Sequence, residues 1–298
     1  MKSKCGILID SSCTYAQEFI DNNHIEVVPL SLSDEQQHVY QDDSKVISQQ
    51  ELLARLSKGE IFKTSATPLG QLTLKIEDML ERYETVIFLP ISYGLSSQYQ
   101  QAAIIKNDYP NRLFVIQSQS AVCANEFILH YIVQWIKDGK DPASIATDAE
   151  KIYNRIATLF SCEDPSGILR SGRGSKTVMH AIKFLKLKPI IECDVKNQYA
   201  GISTNYRSSI KKIIHLIKNS YKGADLTLQN VLNIGIYYSG YAEEKKNYII
   251  NTLAKAFNFP AEKIIVRWLP ATILVHTLFG SYGVTIEATV ERHRKNED

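Results

Sequence analysis

The chain reads as an α/β protein built from two α/β domains. Short apolar, β-branched runs alternate with helix-length amphipathic segments through residue 157, the pattern of a three-layer domain with a largely parallel sheet. The length of 298 residues exceeds one ordinary domain. Charge divides unevenly: residues 1–150 carry 12 Lys+Arg and 20 Asp+Glu, residues 151–298 carry 22 and 12. Two domains follow, 1–160 and 161–298. The boundary is soft and allows a segment near 60–75 to cross over. The second domain is expected to be α/β with some antiparallel strands.

Cys5–Ile9 is a short apolar strand, and Asp10-Ser-Ser-Cys-Thr14 after it offers caps for a helix over Tyr15–Asn22. Ile25–Leu32 is a strand that Pro29 restricts to an edge or bends. Ser33–Lys45 is a polar loop or hairpin. Ser48-Gln-Gln-Glu51 is a capping box that opens a helix to about Ser57. Phe62–Gly70 is a loop, and Pro68 suits the start of the helix that runs to Tyr83. Thr85–Ile91 is a buried strand, followed by a polar loop and a helix over Ser97–Lys106. Arg112–Gln117 is a strand, and Ala121–Lys137 and Pro142–Ala157 are helices, the latter capped by Asp141.

The second half is more mixed. Leu159–Cys162 and Leu187–Cys193 are strand-like, and Val178–Phe184 is helical. Thr204–Lys218 is a helix whose Ile210, Ile213, Ile214 and Ile217 mark a core stripe. Val231–Tyr238 and Lys263–Trp268 are strands on either side of a helix over Ala242–Phe257. Ile273-Leu-Val-His276 reads as an apolar strand, and Val284–Val290 closes the fold.

Composition narrows the function. Hydrophobic content of 44% and charged content of 22% are those of a soluble globular protein. No apolar run approaches the ~20 residues of a membrane span, and the N-terminal run is too short for a signal peptide, so the chain reads as cytoplasmic. The five cysteines lack C-x-x-C spacing, which argues for buried core thiols over a metal site or disulfide framework. No nucleic-acid signature interleaves the basic residues. No P-loop or G-x-G-x-x-G is present, so neither a nucleotide site nor any other cofactor is expected.

The candidate site centres on Phe88–Ala102, where Ser92, Ser96 and Ser97 sit between a strand end and a helix start. Ligands of open α/β sheets bind outside the carboxyl ends of the strands, and a helix N-terminus there suits a carboxylate or phosphate. The loops at Thr64-Ser65 and at His276 are expected to reach the same point. Hydroxyls can donate to a carboxylate, and so can an imidazole. Each residue also has a plain structural explanation: Ser96 as a helix cap, Thr64 and Ser65 as turn formers, Asp10 as the first helix's cap, His276 as a satisfied core residue. With no G-x-S-x-G elbow, a Ser–His hydrolase lacks support.

Several motifs, in order, resemble the DegV family. Ile7-Leu-Ile-Asp10-Ser11-Ser12 is similar to its Asp-Ser-Ser opening, and Val28-Pro29-Leu30 to its second strand. Thr64-Ser65 with Pro68 resembles the Thr-Ser-x-Pro loop. Ile91-Ser92 through Leu95-Ser96, Tyr99-Gln100 and Ala102 resembles Ser-x-x-Leu-Ser-Gly-Thr-Tyr-Gln-x-Ala. Leu169–Arg173 is similar to Leu-x-x-Gly-Gly-Arg, Lys188-Pro189-Ile190 to Lys-Pro-Ile, and His276 with Gly280 and Gly283 to His-x-Gly-Pro-Gly. Six positions depart: Ser97 and Gln98 stand for Gly-Thr, Ser171 for a glycine, Gln117 for an aspartate, and Leu278-Phe279 for Gly-Pro.

The resemblance implies a lipid-binding carrier, not itself an enzyme. A long-chain fatty acid would lie in an apolar tunnel with its carboxylate between the domains. A partner kinase subunit that binds ATP would convert it to the acyl-phosphate. Thr64, Ser96 and His276 would contact the carboxylate, with Ser65 and Ser97 beside them and Asp10, Ser11, Ser92, Ser118 and Gly280 supporting the loops. Phe184–Ile191 and Val231–Ile236 supply apolar residues for a tunnel or a plain core. The basic residues Arg173, Arg207 and Lys211 are the expected docking set. The alternative is an enzyme of dihydroxyacetone-kinase-like type acting on a small carbonyl or phosphorylated substrate through His276.

Overall fold

The computed structural model describes residues 3–171, 182–221, 224–240 and 242–293. It contains two compact units. One is Met1–Ser48, Glu60–Tyr153 and Pro270–Thr272; the other is Gln49–Gly59, Asn154–Leu269 and Ile273–Asp298.

The first unit carries strands β1 (Ser3–Asp10), β2 (Glu26–Val28), β3 (Ser31–Ser33), β4 (Val39–Gln41), β5 (Lys63–Ser65), β6 (Tyr83–Leu89) and β7 (Leu113–Val115). Four of them form an all-parallel sheet in the order β2-β1-β6-β7. Alternation along the strands sends Leu8, Val86, Phe88, Leu113 and Val115 to one face. There they pack on Leu72 and Ile76 of the Leu69–Arg82 helix and on Ala102 and Ile105 of the Gln98–Lys106 helix. The Pro142–Ile152 helix packs against β6 and β7. A smaller antiparallel sheet, β4-β3-β5, completes the unit.

The second unit holds a six-stranded sheet in the order β10-β9-β8-β13-β11-β12. Its strands are β8 (Ile156–Ser161), β9 (Lys188–Cys193), β10 (Asn197–Ser203), β11 (Val231–Tyr238), β12 (Ile265–Trp268) and β13 (Tyr282–Ala288). Every pairing is antiparallel except β11 with β12. The Tyr206–Ser220 helix buries Ile210, Ile213, Ile214 and Ile217 in this core, and a capping box at Asn205 and Ser208 starts it.

Several expectations need correction. The strand over Ile25–Leu32 is two strands: Pro29, which has no amide hydrogen, separates β2 from β3, and they join different sheets. The loop over Phe62–Gly70 contains β5, whose Thr64 is in register with Leu32. The first helix begins at Gln17 behind Ala16, without a side-chain cap. Asp10 is therefore not its cap. Ile273–His276 is not a strand but part of a helix, Ala271–Thr277. Strand β10 had no counterpart in the sequence pattern. The helix expected over Val178–Phe184 lies mostly outside the described residues.

Candidate functional site

In the first unit the chain leaves β1 to form β2 on one side, while β6 lies on the other, so the carboxyl ends of β1 and β6 flank the topological switch point. Asp10 ends β1 and is fully buried. Its Oδ2 accepts the Ile91 amide at 2.6 Å, and its Oδ1 accepts the Ser12 amide at 3.0 Å and the Ser12 hydroxyl at 2.5 Å. The Asp10 carboxylate thus joins the ends of β1 and β6. Burial outweighs these bonds and pushes its pKa up to about 6.

Ser11 Oγ accepts the Leu30 amide at 3.0 Å and donates to Asp42. Ser92 is buried, and its hydroxyl accepts the Gly94 amide at 3.3 Å. Ser118 belongs to a buried network: its hydroxyl and that of Tyr153 meet at 2.8 Å, and both reach Asn125 Oδ1. Asn125 Nδ2 donates to the Pro90 carbonyl at 3.1 Å, which binds the end of β7 to that of β6. These supporting residues set the rim of the sheet and leave little freedom for the loop between β6 and the Gln98–Lys106 helix.

The expected contact residues are more accessible. Thr64 and Ser96 are half-buried; Ser65 and Ser97 are exposed. Ser96 Oγ accepts the Gln98 amide at 3.3 Å, while Ser97 is the N-cap residue and makes no capping bond with its side chain. The Thr64–Thr67 segment is fastened to this helix start by Gln98, which is fully buried. Gln98 Oε1 accepts the Thr67 amide at 2.9 Å and Gln98 Nε2 donates to Thr67 Oγ1 at 3.0 Å. Thr67 Oγ1 in turn donates to the Pro29 carbonyl at 2.8 Å. A threonine at 98 could not span both bonds; a carboxamide, donor and acceptor at once, can. Hydroxyls of two loops and the first turn of a helix, with its partial positive charge, therefore share one neighbourhood.

In the second unit His276 is half-buried in the last turn of Ala271–Thr277. The helix Ser166–Ser171 abuts its backbone: a Cβ on Gly167 would collide with the His276 carbonyl oxygen. Leu278 follows in the left-handed region at φ 60°, its amide donating to the Leu274 carbonyl at 2.8 Å. Gly280 is also left-handed, at φ 81°, and its amide donates to the Ser239 carbonyl at 2.8 Å.

The DegV family model, described as an uncharacterised protein of that family, matches residues 4–289. The chain belongs to the DegV family. A DegV domain-containing protein of Ureaplasma parvum is 29% identical over 292 residues, 98% of each chain. One of Lactococcus lactis is 23% identical over 283 residues, 93% of this chain and 96% of its own. Among solved structures, a DegV family protein from Thermus thermophilus described for its fatty acid binding superposes with a TM-score of 0.83 at 22% identity, covering 96% of this chain and 99% of its own. A stearic acid-binding protein from Eubacterium ventriosum gives 0.82 at 18%, over 97% and 98%. These likenesses fix the DegV fold, two α/β domains, over nearly the whole chain.

Other DegV-like features sort differently. Arg207 and Lys211 are exposed on the Tyr206–Ser220 helix. Arg207 stacks on the Tyr248 ring, 4.6 Å from its centroid, and lies 3.5 Å from Glu244. Arg173 lies outside the described residues. Val231, Ile234, Ile236 and Ile190 belong to the packed core of the second unit, and Phe184 is 86% exposed. Among the described residues no helix is long and apolar enough to cross a membrane. Sequence reading missed Gln98, Asn125 and Asp42. The one sequence signal for Gln98 is its departure from the threonine of the DegV motif.

Proposed function

We propose that this DegV protein binds a long-chain fatty acid and carries it. The carboxylate is held by the hydroxyls of Thr64, Ser65, Ser96 and Ser97 together with His276, and the alkyl chain occupies an apolar tunnel. The observation that carries the reading is the Gln98–Thr67 pair of hydrogen bonds, which joins the Thr64–Thr67 segment to the helix start at Ser96 and Ser97. Charge-assisted bonds from hydroxyls and a helix terminus are what an anionic head group requires. The Thermus thermophilus and Eubacterium ventriosum proteins, described as binding fatty acid and stearic acid, support the ligand class. So does DegV of Bacillus subtilis, described as a fatty acid binding protein (TM-score 0.78, 20% identity).

On this reading the protein is a cytoplasmic carrier, not an enzyme. It presents the carboxylate to a separate ATP-dependent kinase and holds the acyl-phosphate that results. Arg207 and Lys211, on one exposed helix face, are part of the docking surface, and Arg173 is proposed as a member of the same docking set.

Each of Thr64→Ala, Ser96→Ala and His276→Ala removes one hydrogen bond to a charged group, a loss of about 1.5–3 kcal/mol. Affinity for a fatty acid, measured by fluorescence titration, should fall about tenfold or more for each. Unchanged affinity in all three variants removes the assignment.

A further inference from the structure

We propose that Asp42 is a positioning residue for His276: it anchors the first turn of the helix whose last turn carries the imidazole. The inference rests on the fatty acid reading for what His276 does, and on geometry for how it is held.

The Ala271–Thr277 helix has seven residues, too short to be stable by its own hydrogen bonds. It depends on what holds its ends. The residue before it is Pro270, which has no side-chain oxygen to cap it. The cap comes instead from Asp42, 229 residues away from Ala271 in sequence. Asp42 Oδ1 accepts the Ala271 amide at 3.0 Å. Asp42 Oδ2 accepts the Thr272 amide at 2.9 Å and the Thr272 hydroxyl at 2.5 Å. A carboxylate is the preferred charge at a helix start.

Asp42 is itself held firmly. Its amide donates to the Leu30 carbonyl at 2.8 Å, and its carboxylate accepts the Ser11 hydroxyl, which also accepts the Leu30 amide at 3.0 Å. Ser11 follows Asp10 directly, so the carboxylate is tied to the carboxyl end of β1, where the candidate site lies. Four donors converge on one half-buried side chain that contacts no expected ligand group. Its effect on binding must pass through the helix it caps.

The test uses the full-length protein and four variants: Asp42→Asn, Thr272→Val, His276→Ala and the Asp42→Asn/His276→Ala double variant. Asn keeps the shape but loses the charge and one acceptor; Thr272→Val removes only the hydroxyl bond and serves if Asp42→Asn does not fold. Two readouts are taken: the imidazole NMR signals of His276 in ligand-free protein, and affinity for a fluorophore-labelled palmitate. Asp42→Asn, or failing it Thr272→Val, should shift the His276 signals. Asp42→Asn should weaken palmitate binding about tenfold. In the His276→Ala background it should cost no further affinity, because the two residues act as one unit. Unmoved His276 signals, or losses that simply add, overturn the proposal. If wild-type protein fails to bind palmitate, the ligand reading falls by itself, and the His276 signals still decide whether Asp42 positions the imidazole.

Discussion

Replacing Gln98 by alanine isolates the joint between the two loops of the candidate site. The side chain is fully buried and makes two hydrogen bonds to Thr67. After truncation Thr67 Oγ1 keeps its bond to the Pro29 carbonyl, but the Thr67 amide, also buried, loses its acceptor. An orphaned buried donor costs about 1–3 kcal/mol, and the lost packing of the aliphatic stem adds about 1 kcal/mol. The expected loss is therefore about 2–4 kcal/mol, concentrated at Thr64–Thr67 and the first turn of Gln98–Lys106. Hydrogen exchange read by mass spectrometry should show faster exchange in peptides covering residues 63–68 and 96–101, with the second unit unchanged. Gln98→Glu should restore the bond to the Thr67 amide but not the donation to Thr67 Oγ1, and so fall between. Exchange at 63–68 indistinguishable from wild type would refute the claim that Gln98 fastens this segment.

Three further outcomes follow from the same geometry. Asp10 has a folded pKa near 6, above its unfolded value, so its contribution is fully present below about pH 4 and is lost as pH rises through 6. A shift of about two units corresponds to about 3 kcal/mol; the difference in stability between wild type and Asp10→Asn should change over pH 4–6, and a flat difference would contradict the assignment. Leu278 pays for a left-handed backbone that glycine adopts freely, so Leu278→Gly should raise stability by up to about 1 kcal/mol in thermal unfolding; a clear loss would mean that side-chain packing outweighs the backbone term. Arg207→Glu reverses charge on an exposed face; on the proposed carrier role it should leave palmitate affinity unchanged while slowing phosphorylation of bound fatty acid by the proposed kinase partner. Retained turnover with lost lipid binding would reverse that division.

What the sequence made legible depends on how local each signal is. The apolar run at Thr85–Ile91 and the isoleucine stripe at 210–217 needed only periodicity, and both elements are present. Asp141 caps its helix through a bond to Ser144, three residues away. The Ala271–Thr277 helix has the sequence pattern of a strand, because its Ile273–Val275 run is apolar and its cap lies at Asp42, visible only after folding. Strand β10 is polar and breaks register between Tyr199 and Gly201, so neither alternation nor hydrophobicity marked it. At the site, the hydroxyls of Thr64 and Ser96 could be named from motif position. Gln98 could not, because its role depends on a partner 31 residues away.

The most direct test is native mass spectrometry of the purified protein, followed by organic extraction and lipid analysis. The account predicts one long-chain fatty acid per chain, released on extraction and regained when palmitate is added to stripped protein. A protein that emerges empty and refuses added fatty acid would contradict it.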